Sequence, residues 1–168
     1  MHRLLTCAAV AATLTLAACG GSSNSDQTPA RAATSGTVGI KHVDGLGRVL
    51  VNSTGMALYT PDQEGGGKIV CTASCTSVWQ PVDVGKGKPT AVPGAGGLGV
   101  VKRPDGARQV TLDRMPLYTF AEDAPGRATG NGVRDKFDGT PFTWHVVLAG
   151  GMKGTGTVTD TSSSNYGY

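Results

Sequence analysis

At 168 residues, with 15 Lys and Arg set against 12 Asp and Glu, the chain is long enough for one domain and close to neutral. Its basic residues, among them Lys86, Lys88, Lys102 and Arg103, are scattered among Gly and Pro with no aromatic interleaving. That excludes a nucleic-acid groove, which needs clustered cations, and reads as a solvated surface.

Met1-His2-Arg3 is a short positive start, and Leu4 to Leu16 is an apolar run of 13 residues. As a helix this is too short to cross a hydrocarbon core of about 30 Å, so it reads as an export signal. Leu16-Ala17-Ala18-Cys19-Gly20 resembles the lipobox of bacterial lipoproteins, which implies that residues 1–18 are removed and that Cys19 carries a diacylglyceryl group. An ordinary secretory signal with a small-residue cleavage site is the plainer alternative. Losing the signal removes one Arg and no acid, so 14 cations (15 − 1) face 12 anions, a net of +2. Acyl chains contribute roughly 0.8 kcal/mol per buried CH₂, enough to hold the chain on a membrane without crossing it. Residues 20–36 have little to bury and read as a flexible tether, a coil of roughly 23 Å end to end.

The organising stretch of the remainder is Met56-Ala57-Leu58-Tyr59-Thr60, which returns 59 residues later as Met115-Pro116-Leu117-Tyr118-Thr119. One unit is used twice, residues 37–84 and 98–149, joined by a Gly/Pro/Lys-rich linker at 85–97 and followed by a loose tail at 150–168, in which Thr157–Thr159 could add an edge strand. Each copy reads as strand, turn, strand: Arg48–Val51, then Asn52–Gly55, then Met56–Thr60; and Gln109–Leu112, then Asp113-Arg114, then Met115–Phe120. An acidic loop follows each, Pro61–Gly67 and Glu122–Gly126, and each copy closes on a tryptophan beside a strand, Trp79–Val82 and Trp144–Val147. Asn52-Ser53-Thr54 is turn chemistry in this setting. Gly94–Gly99 formally matches a dinucleotide-binding fingerprint, but a strand and turn follow where a helix N-terminus should hold the pyrophosphate.

A unit of some 50 residues with three or four aromatics buries too little to stand alone. The two copies are therefore expected to share one hydrophobic centre built from Leu50, Leu58, Tyr59, Trp79, Val110, Leu117, Tyr118, Phe120, Phe142, Trp144 and Val146. The expected fold is all-β, a compact sandwich or open barrel of two tandem repeats with approximate two-fold symmetry, and one short helical turn near Cys71–Trp79.

Tyr118-Thr119-Phe120-Ala121-Glu122-Asp123 forms a Tyr-x-aromatic-x-x-Asp motif. The first copy departs from it, with Tyr59 retained but Pro61 at the aromatic and Glu64 at the acid. With the Cys71/Cys75 pair ahead of Trp79-Gln80-Pro81, the Arg103–Gly106 turn and the Gly130–Gly132 loop, the chain resembles bacterial lipoproteins carrying a secreted repeat of unknown function. The resemblance covers nearly all of residues 40–148. It implies location and build, since the family has no agreed activity.

Cys7 leaves with the signal and Cys19 is lipidated, so Cys71 and Cys75 are an even pair outside the cytoplasm, which favours a disulfide. Four apart on a helical turn, their Cα atoms lie within disulfide reach. The sharper alternative is copper or redox chemistry, in which the two thiolates join His42, His145, Met56 or Met115; the absence of a long amphipathic helix argues against a thioredoxin-like chaperone. Asp62 with Glu64, and Glu122 with Asp123, read as solvated turns. No nucleophile elbow accompanies the histidines, so an enzyme is not expected and no cofactor beyond the lipid is called for. The reading is a non-catalytic envelope lipoprotein on the outer face of the cell membrane, bound to lipid through Cys19 and to an unknown envelope protein or small ligand.

Overall fold

The computed structural model describes residues 37–151, 153 and 154. The signal peptide, Cys19, the tether and the tail beyond Gly154, with its expected edge strand, lie outside the described residues.

The fold is all-β with one short helix. Strands β1 (Thr37–Val43) and β2 (Gly47–Asn52) form an antiparallel hairpin, and β3 (Tyr59–Pro61) follows. Helix α1 (Cys75–Val78) runs directly into β4 (Trp79–Pro81). Next come β5 (Thr90–Ala91), β6 (Leu98–Lys102), β7 (Arg108–Leu112), β8 (Met115–Pro116) and β9 (Tyr118–Phe120). A last hairpin comprises β10 (Arg134–Phe137) and β11 (Thr140–Val146). They assemble as three sheets, ordered β2-β1-β5, β10-β11-β3-β9-β4 and β6-β7-β8.

Turn chemistry explains the tight hairpins. Asp113 and Arg114 both take positive φ (48° and 64°), as do Asp138 and Gly139 (48° and 83°), the geometry that a two-residue loop needs to match strand twist. In the first copy the turn is built by a side chain: Asn52 Oδ1 accepts the N–H groups of Thr54 and Met56, both at 3.0 Å.

The two segments read from the sequence as copies exchange their closing strands. Leu50 N–H donates to Val147 C=O (2.8 Å), Val147 N–H to Leu58 C=O (2.8 Å) and Leu58 N–H back to Leu50 C=O (2.9 Å). Val110 donates to Val82 (2.8 Å), Val82 to Leu117 (3.0 Å) and Leu117 back to Val110 (3.0 Å). Each hairpin is thus closed by the strand that follows the other copy's tryptophan. In the five-stranded sheet Tyr59 pairs directly with Tyr118. The copies also differ, because β10 extends that sheet at one end and the disulfide helix belongs to the first copy.

Every residue expected in the core is buried. The expectation of one shared centre is corrected to two clusters. Tyr59, Trp79, Tyr118, Phe120, Phe142 and Trp144 form an aromatic one with Cys71 and Cys75, while Leu50, Leu58, Val82, Val110, Leu117 and Val147 form an aliphatic one. Each draws on both copies, which is how two units poor in apolar area cover one another. The stretch expected as a linker is part of this packing: Thr90 and Ala91 pair in parallel with Thr37 and Val38, and Ala95 is buried in the aliphatic cluster.

Cys71 and Cys75 are joined, with Cα atoms 5.3 Å apart. A loop this short restricts the unfolded chain little, so reduction is expected to cost only about 2 kcal/mol. Urea unfolding with and without reductant measures it; a reduced protein that no longer folds would show the bond to be doing more than closing that loop.

Candidate functional site

At the centre of the aromatic cluster Trp79 and Trp144 stack nearly parallel, with centroids 3.9 Å apart and an interplanar angle of 9°. The strand register brings them there: Trp79 lies opposite Phe120 in β9, and Trp144 opposite Pro61 in β3. Phe120 stacks on Trp79 at 4.5 Å, and Phe142 on Trp144 at 5.6 Å. Both indole N–H groups donate to one carboxylate, Asp135, at 2.6 Å from Trp79 and 3.0 Å from Trp144. Burial lifts the Asp135 carboxyl above its ordinary value, with the two indole bonds acting against the shift.

Two tyrosines each meet a tryptophan edge-on, Tyr59 with Trp79 at 5.4 Å and Tyr118 with Trp144 at 5.2 Å. Their hydroxyls are bonded crosswise. Tyr59 of the first copy donates to Asp123 Oδ2 of the second at 2.6 Å, and Tyr118 of the second donates to Glu64 Oε2 of the first at 2.7 Å. The motif's tyrosine and acid therefore bond between copies rather than within one. Thr129 donates both its N–H and its hydroxyl to Asp123 Oδ1, and Gly130 N–H donates to the Tyr59 hydroxyl at 3.2 Å. Around Glu64 the backbone N–H groups of Val70 and Cys71 converge on Oε1. Arg103 completes this side, donating to Gln109 Oε1, to the Tyr118 hydroxyl at 3.3 Å and to the Cys71 carbonyl at 2.7 Å.

Glu64 and Arg103 are each 2% exposed. This corrects the solvated-turn reading of Glu64 and the solvated-surface reading of Arg103. A buried carboxylate persists only when its lone pairs are satisfied, and partners from both copies satisfy this one. Glu122 remains exposed, as expected. Glu64 stands where Asp123 stands in the second copy, and that position in the motif is the signal that could have revealed it. Asp135, Gln109 and Thr129 carry no such signal.

The residues considered for metal are not gathered. Both sulfurs are tied to one another and buried. His42 is exposed beside Asp44, with Nδ1 3.8 Å from its carboxylate. On β11, His145 Nε2 lies 3.0 Å from Asp62, whose other oxygen accepts from Lys153 at 2.7 Å. Burial alone would raise the Asp62 carboxyl, but the bonds from Lys153 and His145 outweigh it and hold it below its ordinary value. Met56 and Met115 sit partly buried on separate hairpins. Among the described residues no group of three His, Cys, Asp or Glu side chains is placed to hold an ion.

Burial, followed by the bonded carboxylates, pushes both phenols far above their ordinary range. A phenol whose folded value is raised adds stability that is complete below about pH 10, the unfolded value, and is lost as pH rises beyond it. In a chain carrying Tyr166→Phe and Tyr168→Phe, tyrosinate absorbance is expected to appear only together with loss of near-ultraviolet dichroism. Ionisation of a still-folded protein near pH 10 would contradict the burial of these rings.

Residues 99–147, which run from β6 through β11, match the family described as a secreted repeat of unknown function. No curated protein and no solved structure matches the chain. The family's description is of a secreted repeat, which suggests a location outside the cytoplasm. No helix among the described residues is long and apolar enough to cross a membrane.

Proposed function

We propose, on the premise that the second half of this chain carries a secreted repeat, that the protein is an envelope lipoprotein held on the outer face of the cell membrane by acyl chains on Cys19. Its β-domain is a non-catalytic module that presents loops to an envelope protein or small ligand. One observation carries the non-catalytic reading: Asp123 and Glu64, the motif acids, are engaged by the other copy's tyrosines and by backbone or threonine donors. Carboxylates so engaged are not free to act on a bound substrate. Among the described residues the exposed large hydrophobics are Val92 and Val100, so contacts fall to polar loops such as the one bearing Lys86 and Lys88. Arg108 holds that loop through the carbonyls of Gly85 (2.8 Å) and Gly87 (3.0 Å).

Labelled palmitate is expected on the unaltered protein and not on Cys19→Ser. On intact cells a short amine-reactive crosslinker is expected to trap a discrete adduct through Lys86 or Lys88. A chain that takes up no label, or that stays uncrosslinked at the envelope, overturns the reading.

A further inference from the structure

Tyr59, Trp79, Trp144 and Tyr118 form an unbroken row of rings, with successive centroids 5.4, 3.9 and 5.2 Å apart. All four are completely buried. The indole pair in the middle shares one carboxylate, Asp135, and the phenol at each end donates to another, Asp123 or Glu64. These are the parts needed to move a single-electron vacancy through a protein: oxidisable rings in contact, negative charge where positive charge develops, and a base for each phenol proton. We propose that the row is a one-electron relay in which a vacancy on the Trp79/Trp144 pair passes to Tyr59, with Asp123 taking the phenol proton.

In the first step a one-electron oxidant meeting the surface, such as an oxidising radical or a high-potential metal centre, removes one electron from the indole pair and is reduced by one. The positive charge left on two overlapped rings is offset by the half-buried Asp135, whose carboxylate oxygens already accept both indole N–H groups. In the second step Tyr59 returns an electron to the pair as its O–H bond breaks and the proton moves to Asp123 Oδ2. The products are intact indoles, a neutral tyrosyl radical, a protonated Asp123 and the reduced oxidant. Losing the electron alone would leave a bare buried cation, which is costly.

Direction follows from Arg103. Its guanidinium carbon lies 6.0 Å from the centre of the Tyr118 ring and it donates to that hydroxyl, so positive charge disfavours oxidation at that end. Tyr59 has only neutral donors and Asp123 at its hydroxyl. Gly130 packs the row at this end: an added Cβ would stand 2.8 Å from Trp79 and 3.1 Å from Tyr59, so only a residue without a side chain lets the backbone N–H reach the Tyr59 hydroxyl.

The test uses the full chain with Tyr166→Phe and Tyr168→Phe, so that Tyr59 and Tyr118 are its only phenols. Tris(bipyridine)ruthenium(III), generated by a laser flash with persulfate as quencher, serves as the oxidant, and transient absorption and electron paramagnetic resonance identify the radical. A tryptophan radical decaying into a tyrosyl is expected, slowed in deuterated water, retained in Tyr118→Phe and lost in Tyr59→Phe. Asp123→Asn, which keeps an acceptor and removes the base, is expected to slow tyrosyl formation roughly tenfold or more. No tyrosyl signal, a signal that survives Tyr59→Phe, or one indifferent to deuterium overturns the relay.

Discussion

Replacing Glu64 by alanine is expected to cost about 3–5 kcal/mol, the penalty for breaking one side of a buried charge network. The carboxylate accepts two backbone N–H groups and the Tyr118 hydroxyl, and on the far side of that hydroxyl stands Arg103, equally buried. Alanine leaves three donors without acceptors, and it takes one of two acids from beside the guanidinium, whose Nε also lies 3.4 Å from Asp105. Domains of this kind have about 5–15 kcal/mol in total, so the variant should melt far below the parent. Glu64→Gln keeps an acceptor for the backbone but loses the charge, and about 1–3 kcal/mol is expected. Arg103→Met combined with Glu64→Gln should cost less than the two single changes summed, because two partners of one network do not add. Urea unfolding of the parent and of these four variants measures all of this. A Glu64→Ala variant within about 1 kcal/mol of the parent would mean that the network behaves as a surface pair.

Trp79→Ala should be as damaging, at about 3–5 kcal/mol. The indole stacks on Trp144 and Phe120, takes Tyr59 edge-on and bonds Asp135, so alanine opens a cavity in the aromatic cluster and frees one oxygen of a half-buried acid. Trp144→Ala removes the other half of the same stack. The double variant should therefore cost less than the sum. The stacked indoles also provide a signal, since parallel rings 3.9 Å apart should give a coupled band in circular dichroism that either substitution abolishes. Unchanged dichroism in a folded Trp79→Ala protein would refute the stack.

The hairpins around Asn52 and Asp113 were legible because strand alternation and turn residues are local. So was the core, since each expected apolar residue sits on a periodic face. The exchange of closing strands was not, because a repeat in sequence says that two units are alike and nothing about which strand pairs with which. The same reason hid Glu64, an acid in a Gly-rich loop that is buried only because Tyr118 and Arg103 arrive from the other copy. Asp138-Gly139 is different: it is a strong two-residue hairpin signal, but it lies outside the duplicated strand-turn-strand pattern and has no counterpart in the first copy. Thr90–Ala91 and Ala95 lie in a stretch whose composition is that of a linker, where two backbone pairings and one small side chain suffice to join the fold.

The two closed rings of backbone bonds set a timetable for a chain that emerges in order. Leu50 and Leu58, early in the sequence, wait for Val147, near its end, before their last amide and carbonyl find partners. Native pairing that spans most of the chain is slow to form, and until it does the first half exposes strand edges open to wrong neighbours. A protein exported as an extended thread would meet that hazard outside the cell, in the interval between the appearance of Trp79 and the arrival of Trp144.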